Sequence, residues 1–199
     1  MKFYDNILKW KLCGDSIVNV NGNELICHVH KEIKDDYLHV LFYPLGKKMQ
    51  KQFEKKFDLK KNKGLKEYSM FIFRHNGSVL YSGAIVFFGF TENNTANTFI
   101  EPCSLEKMNE MNEFVYNNPS YLFIGNIMHR DFDNIDIFVN KITGYLLWMH
   151  KSRIFKEFNS LNQMLDYIIN YYDPFYNSKG ENINFNDRKK NVYENIQLY

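Results

Sequence analysis

The fold is decided by residues 121–173, whose sequence is YLFIGNIMHRDFDNIDIFVNKITGYLLWMHKSRIFKEFNSLNQMLDYIINYYD. Residues 121–125, 135–139 and 145–149 are rich in β-branched and aromatic side chains, which favour strands. The connections between these three runs are short and polar. Because parallel neighbours need a crossover of a dozen or more residues, the short connections predict an antiparallel meander.

An amphipathic helix is predicted directly after the meander. Its apolar residues recur every three or four positions, which is the pattern of an α-helix with one buried face. They are Leu161, Met164, Leu165, Ile168, Ile169 and Tyr172. Ser160 and Gln163 have the spacing of a capping box at the start of the helix, and Asp173-Pro174 ends it.

The chain before residue 121 alternates between short strands and helices. Asn21-Gly22 between two β-prone runs predicts a hairpin, and Ser104 is the predicted N-cap of a helix. The predicted elements are strands at 17–20, 25–29, 38–43, 79–81 and 85–90, and helices at 49–57, 65–72 and 105–115. Together they predict an α+β fold with a central antiparallel twisted sheet flanked by helices. We expect one domain over 1–173 and a polar, Asn-rich C-terminal tail over 174–199.

The composition argues against several broad classes of protein. Of the 199 residues, 45% are hydrophobic, which is too many for intrinsic disorder. With 25 basic and 23 acidic residues the net charge is +2, which argues against a nucleic-acid coat and against bulk attraction to membranes. The three cysteines lack a CxxC spacing, which indicates free thiols in a reducing compartment. No apolar run approaches the roughly 20 residues that span a bilayer, and no signal-peptide core is present, so we expect a cytoplasmic protein.

Two histidine-containing patterns could carry chemistry. The triplet at 129–131 is similar to the start of a kinase catalytic loop, but that loop needs Asn where this chain has Asp136, so a polar turn is the preferred interpretation. His28 and His30 fall on one face of a predicted strand and could hold a metal with further ligands. Exposed histidines beside a buried Cys27 are the preferred interpretation of that pattern.

Carboxylates and lysines offer two further possibilities. Asp131, Asp133 and Asp136 are close enough in sequence for acid–base work or cation binding, but without a glycine-punctuated calcium loop they favour an acidic turn. The lysines that cluster between residues 47 and 66 could attract a polyanion, although such a run on an amphipathic helix is more typical of a solvated face. We therefore predict no catalytic residue, no metal and no cofactor.

Several short motifs follow the order of a known family. They are FEKKFDL at 53–59, LKEY at 65–68, NG at 76–77, NPSYLFIG at 118–125, DIFV at 136–139, GYLLW at 144–148 and the segment from 155 to the capped helix. This order, over residues 47–173, resembles the SUKH superfamily of bacterial toxin-immunity proteins and fungal cell-wall-synthesis regulators. Residues 1–46 then form a strand-rich N-terminal extension to the SUKH-like part.

The resemblance implies a non-enzymatic immunity protein that neutralises a secreted or contact-delivered bacterial toxin, such as a nuclease, by stoichiometric binding. The partner is then the cognate toxin rather than nucleic acid or a membrane. Acidic side chains on the sheet would face a cationic toxin surface. The candidates are Glu101, Glu106, Glu110, Glu113, Asp131, Asp133 and Asp136. Tyr81 and Phe90 are candidate aromatic anchors, and Trp148 is expected in the core.

Two other functions stay open at this point. One is a regulatory or scaffold domain of the same fold with a housekeeping partner. The other is a small enzyme or nucleic-acid-binding protein, which would place His28, His30 and acidic side chains in a deep pocket, or the lysine-rich helix in a continuous basic groove. The sequence does not predict the oligomeric state.

Overall fold

The computed structural model describes most of the chain. The described residues are 2–30, 32–33, 36–59, 62–91, 101–129 and 132–183. Every helix in these ranges is too short or too polar to cross a bilayer.

Within the described residues, nine strands form a single sheet. They are β1 Ile17–Val18, β2 Glu24–His28, β3 Tyr37–Leu41, β4 Ser78–Leu80, β5 Ile85–Phe87, β6 Tyr121–His129, β7 Phe132–Asn140, β8 Leu146–His150 and β9 Arg153–Phe158. Neighbouring strands are antiparallel throughout, and their order in the sheet is their order in the chain. The predicted antiparallel meander over β6 to β8 is therefore confirmed, and the sheet extends well beyond it on both sides.

Six α-helices lie within the described residues. They are α1 Lys2–Leu8, α2 Lys47–Lys56, α3 Lys63–Arg74, α4 Leu105–Glu110, α5 Glu113–Asn117 and α6 Leu161–Tyr172. Short 3-10 turns follow α1 and α6. The predicted α+β class is confirmed, whereas α1 and β9 are elements that the sequence pattern does not predict.

Helices pack on both faces of the sheet. On one face α3 lies so close to β7 that a Cβ atom on Gly64 would be 3.0 Å from Val139 Cγ1. On the other face the ring of Phe114 in α5 is 5.3 Å from the ring of Phe138 in β7. Successive side chains of a strand point to opposite faces. Phe138 therefore contacts α5 on one face of the sheet, and Val139 contacts α3 on the other.

The helix α6 packs its apolar face against the sheet. The six apolar residues predicted for its buried face are all buried. Trp148 is 7% exposed and its ring lies 5.4 Å from that of Tyr167, which confirms its expected core position.

At the start of α6, Ser160 Oγ accepts a hydrogen bond from the Gln163 N–H at 3.1 Å, as predicted. The reciprocal bond to Gln163 Oε1 comes from Asn159 N–H at 2.9 Å, one residue before the cap.

The predicted helix over 105–115 is wrong, because the chain forms two helices that break at Met111. Ser104 caps the first of them as predicted. Asn112 Oδ1 accepts a hydrogen bond from the Val115 N–H at 3.0 Å and so caps the second. A side chain that bonds the backbone of the next turn competes with a continuous helix, and here the cap prevails.

Both ends of the described chain pack into the same unit. The segment predicted as an N-terminal extension contributes β1 to β3, and β3 pairs with β4. Beyond α6, Tyr176 is buried and its hydroxyl donates a hydrogen bond to the Tyr81 carbonyl oxygen at 3.3 Å. The packed part of the chain thus continues past residue 173, where the tail was predicted to begin. Residues 184–199 of that tail lie outside the described ranges.

Candidate functional site

A groove lies where α4 ends and α5 begins, against β7, β8 and the turn that joins β8 to β9. Its volume is about 290 Å³, just below the range of roughly 300–1,000 Å³ of small-molecule sites. The groove therefore has room for one long side chain but little for a large cofactor. We call it the Asp136 groove. Its principal lining residues are Met111, Asn112, Glu113, Phe114, Asp136 and Met149.

Asp136 supplies the charge of the groove. It lies on β7 between its cross-strand neighbours Asn126 and Met149, and its side chain is half-buried. Burial raises the pKa of its carboxyl from the ordinary 3.8 to about 6, while a hydrogen bond from Asn112 and the charge of His150 oppose part of this rise in pKa. The ionised form of Asp136 is thus destabilised by its surroundings. A carboxylate perturbed in this way inside a cleft is a candidate functional group.

Aromatic and thioether side chains form the rest of the groove. The rings of Phe114 and Phe138 meet 5.3 Å apart at an angle of 59°, and Met149 is only 3% exposed. Met111, at the helix break, is instead 71% exposed. An apolar side chain left in solvent beside a carboxylate, within a groove, is compatible with a recognition surface.

A tight turn fixes the opposite rim of the groove. His150 and Arg153 are paired, so only Lys151 and Ser152 connect β8 to β9. Both have positive φ, 47° and 66°, which is the geometry of the two-residue hairpin turn that matches the twist of the strands. Lys151 and Ser152 line the groove from this position.

Two of the seven predicted acidic residues meet in the groove. Glu113, at the start of α5, and Asp136 both line it, although they are separated by 23 positions in sequence. Glu110 is exposed in the last turn of α4. Asp131 and the side chain of Asp133 lie outside the described residues.

The remaining two acidic candidates lie elsewhere. Glu106 forms an ion pair with Lys56 of α2, so part of its charge is already balanced. Burial and then the charge of Glu101 raise the pKa of Tyr43, which places Glu101 near the end of β3. The lysines of α2 are exposed, as expected for a solvated helix face.

The two predicted aromatic anchors are buried. Tyr81 is 0% exposed, and its hydroxyl donates a hydrogen bond to Asp173 Oδ1 at 2.8 Å. Phe90 is 6% exposed, and its ring lies 5.3 Å from that of Phe53. The structure thus places both side chains in the core and not on a surface that a partner could reach. The segment after α6 covers Tyr81, which no local pattern around residue 81 indicates.

The histidines of β2 and the following turn have local contacts. The ring of His28 stacks on Tyr37 at 4.8 Å, and His30 Nδ1 contacts the Asp36 carboxylate. Cys27 is buried, and burial raises the pKa of its thiol to about 11, so the thiol stays protonated at neutral pH. Over the ranges that the structure describes, no cluster of three or more His, Cys, Asp or Glu residues could hold a metal.

Neither Asn112 as a helix cap nor the exposure of Met111 was predicted from the sequence. An Asn followed by Glu113 and Phe114 is a recognisable N-cap signal, which would have found the break between the two helices. The contact between Asn112 and Asp136 has no comparable signal, because it depends on how α5 packs against β7.

Comparison with known proteins adds no family to these observations. No protein-family model, curated protein or solved structure matches this chain. Its function is therefore inferred from the groove and from the sequence motifs.

Proposed function

We propose that the protein is an immunity protein that acts in the cytoplasm and neutralises a bacterial toxin by stoichiometric protein–protein binding, without catalysis. The observation that carries the proposal is the Asp136 groove, in which a half-buried carboxylate adjoins aromatic side chains and the exposed side chain of Met111. The motifs that resemble the SUKH superfamily support it and indicate the kind of partner.

The charge around the groove favours a cationic partner. Glu113 and Asp136 line it and outnumber the one lysine of the lining, Lys151, while Glu110 lies one residue before the helix break. The whole chain has a net charge of +2, so this acidic region is a local feature and not a property of the composition. Complementary charge of this kind accelerates encounter with a basic surface and selects against acidic ones.

The rigidity of the groove supports a binding role. Its walls are a capped helix start, the paired strands β7 and β8, and a tight hairpin turn. A surface that is already ordered loses little conformational entropy on binding, so more of the contact energy contributes to affinity. Met111 can bury its exposed side chain against the partner at the same time.

The test uses the purified product of the open reading frame adjacent to the gene. We expect a 1:1 complex by size-exclusion chromatography with light scattering, a higher melting temperature of the complex, and complete toxin inhibition at one molar equivalent. The melting temperature rises because a ligand that binds only the folded state stabilises it.

Two variants make this test specific to the groove. Asp136→Asn should weaken the complex, whereas Glu54→Gln, which alters an exposed carboxylate on α2, should leave it unchanged. Inhibition well below one equivalent would indicate turnover and contradict the proposal. Absence of a complex with the neighbouring gene product, together with capture of a housekeeping protein, would favour a regulatory domain instead.

A further inference from the structure

Within the described part of the chain, Asp136 forms no ion pair with a Lys or Arg, and His150 is the cationic group whose charge acts on it. The Asp136 carboxylate accepts a hydrogen bond from the Asn112 amide. A carboxylate can accept about four hydrogen bonds, so most of its capacity is open. A half-buried carboxylate in this condition gains most from a donor that also carries positive charge.

A second unsatisfied acceptor lies beside the first. Asn126 is directly opposite Asp136 in the pairing of β6 with β7, so the two side chains emerge on the same face of the sheet. The side-chain oxygen of Asn126 is buried and has no hydrogen-bond partner among the described residues. This oxygen is closed to solvent, so Asp136 is the acceptor that a ligand in the groove would reach, and the partial negative charge of the Asn126 oxygen beside it favours a cationic ligand.

The apolar part of the groove restricts the choice of cation. Phe114, Phe138 and Met149 are poor ligands for a compact, strongly hydrated ammonium group, and the groove has no cluster of metal-binding side chains in the described ranges. A guanidinium group is planar, is more weakly hydrated, carries five donors and stacks on aromatic faces. The volume of about 290 Å³ has room for one such side chain with its methylene stem.

We infer that the Asp136 groove receives one arginine side chain of the partner, with the guanidinium group on the Asp136 carboxylate and the methylene stem against Met111 and Phe114. This inference rests on the proposed function, because it names the residue through which the toxin would bind. Glu113 at the helix start adds negative charge at the same groove, and Lys151 on the opposite rim opposes it.

The experiment titrates the full-length, ¹⁵N-labelled protein with N-acetyl-arginine methylamide and follows the backbone amide signals. We expect saturable shifts confined to the groove, with an affinity on the order of millimolar for a single residue. N-acetyl-citrulline methylamide, which has the same shape without the charge, should produce no saturable shifts. N-acetyl-lysine methylamide should bind more weakly than the arginine compound.

Three variants sharpen the test. Asp136→Asn should weaken arginine binding about tenfold or more, because a hydrogen-bonded charge is lost. Lys151→Asn should strengthen binding several-fold, on the order of two to five times, by removing a like charge at a position with φ of 47°, which Asn tolerates. Glu157→Gln, on the exposed part of β9, should change nothing.

Binding should also weaken as the pH falls from about 7 to about 5. The charged groups that face the site are Glu113, Asp136, His150 and Lys151. Across this range Asp136 takes up a proton because its pKa is about 6, so the negative charge that attracts the guanidinium group is lost.

Several outcomes would overturn the inference. They are equal shifts from arginine and citrulline, lysine binding as tightly as arginine, or an Asp136→Asn variant that binds normally. The result is independent of the toxin test. Arginine binding without a toxin complex would refute the proposed function alone, and a toxin complex without arginine binding would refute the groove assignment alone.

Discussion

Replacing Asp136 by Asn should make the free protein more stable at neutral pH, although it removes a charge from the candidate site. Burial raises the pKa of this carboxyl from 3.8 to about 6, which means that the folded state disfavours its ionised form. Asn keeps the size of the side chain and an oxygen that can accept the hydrogen bond from Asn112. The variant therefore removes the cost of the charge and preserves the local contact.

The magnitude follows from the pKa. A rise from 3.8 to about 6 corresponds to about 3 kcal/mol at 1.36 kcal/mol per pH unit. Because the side chain of Asp136 is only half-buried, solvent screens part of this cost. We expect a gain in the free energy of unfolding of about 1–2 kcal/mol at pH 7, or about 2–8 °C in melting temperature for a chain of this length.

The sign of the pH dependence provides the critical measurement. The folded protein bears the full cost of the ionised Asp136 carboxylate only above its folded-state pKa. The stability gained by Asp136→Asn is therefore largest near pH 7. It should decrease as the pH falls through 6 and approach zero only below about pH 3, where the carboxyl is protonated in both the folded and the unfolded state. Urea denaturation of both proteins at several pH values measures this. A variant that is less stable than the parent, or a gain that is the same at every pH, would refute the reasoning.

Four further substitutions test the packing and the effect of a buried histidine. Gly64→Ala should lower the free energy of unfolding by about 2–3 kcal/mol in urea, because the new Cβ atom would lie 2.3 Å from the Gly144 carbonyl oxygen. The control Gly46→Ala, whose new Cβ atom would have no neighbour within 4 Å, should change the free energy of unfolding by only about a few tenths of a kcal/mol. Equal losses of stability in the two variants would contradict this account of how α3 packs. Phe53→Ala should lower the free energy of unfolding by about 3–5 kcal/mol, because Phe53 is 0% exposed. A decrease below about 1 kcal/mol in urea denaturation would show that the site is loosely packed. Burial lowers the pKa of His39 to about 3, so the unfolded chain alone takes up a proton as the pH falls below 6.5. His39→Phe should therefore remove about 2 kcal/mol of acid destabilisation between about pH 7 and pH 5, and an unchanged pH slope would exclude His39 as its source.

The segments that the sequence predicted well have local causes. The strands β6 to β8 follow from short β-prone runs with polar connections, and α6 follows from one apolar stripe with a cap at Ser160. Each signal is contained within about a dozen residues. Packing against the rest of the chain does not change these strands or this helix, so the folded protein contains them as predicted.

The segments that the sequence missed lack such signals. The turn at Lys151 and Ser152 has positive φ at two residues that are not Gly, Asn or Asp, so no turn motif separates β8 from β9. The edge strand β9 is largely exposed and shows no regular alternation of burial. Tyr81 is buried because Asp173 and Tyr176, more than 90 residues away, close over it.

By itself the sequence determined the α+β class, the antiparallel order of the central strands and the acidic character of Glu113 and Asp136. Only the tertiary structure decided that these two acids share a groove, that Asn112 ends one helix and contacts Asp136, and that Tyr81 and Phe90 are in the core. The physical reason is that periodicity and capping act between residues a few positions apart. The groove depends instead on strand register and on the packing of α5 against β7, which form only when the whole sheet assembles.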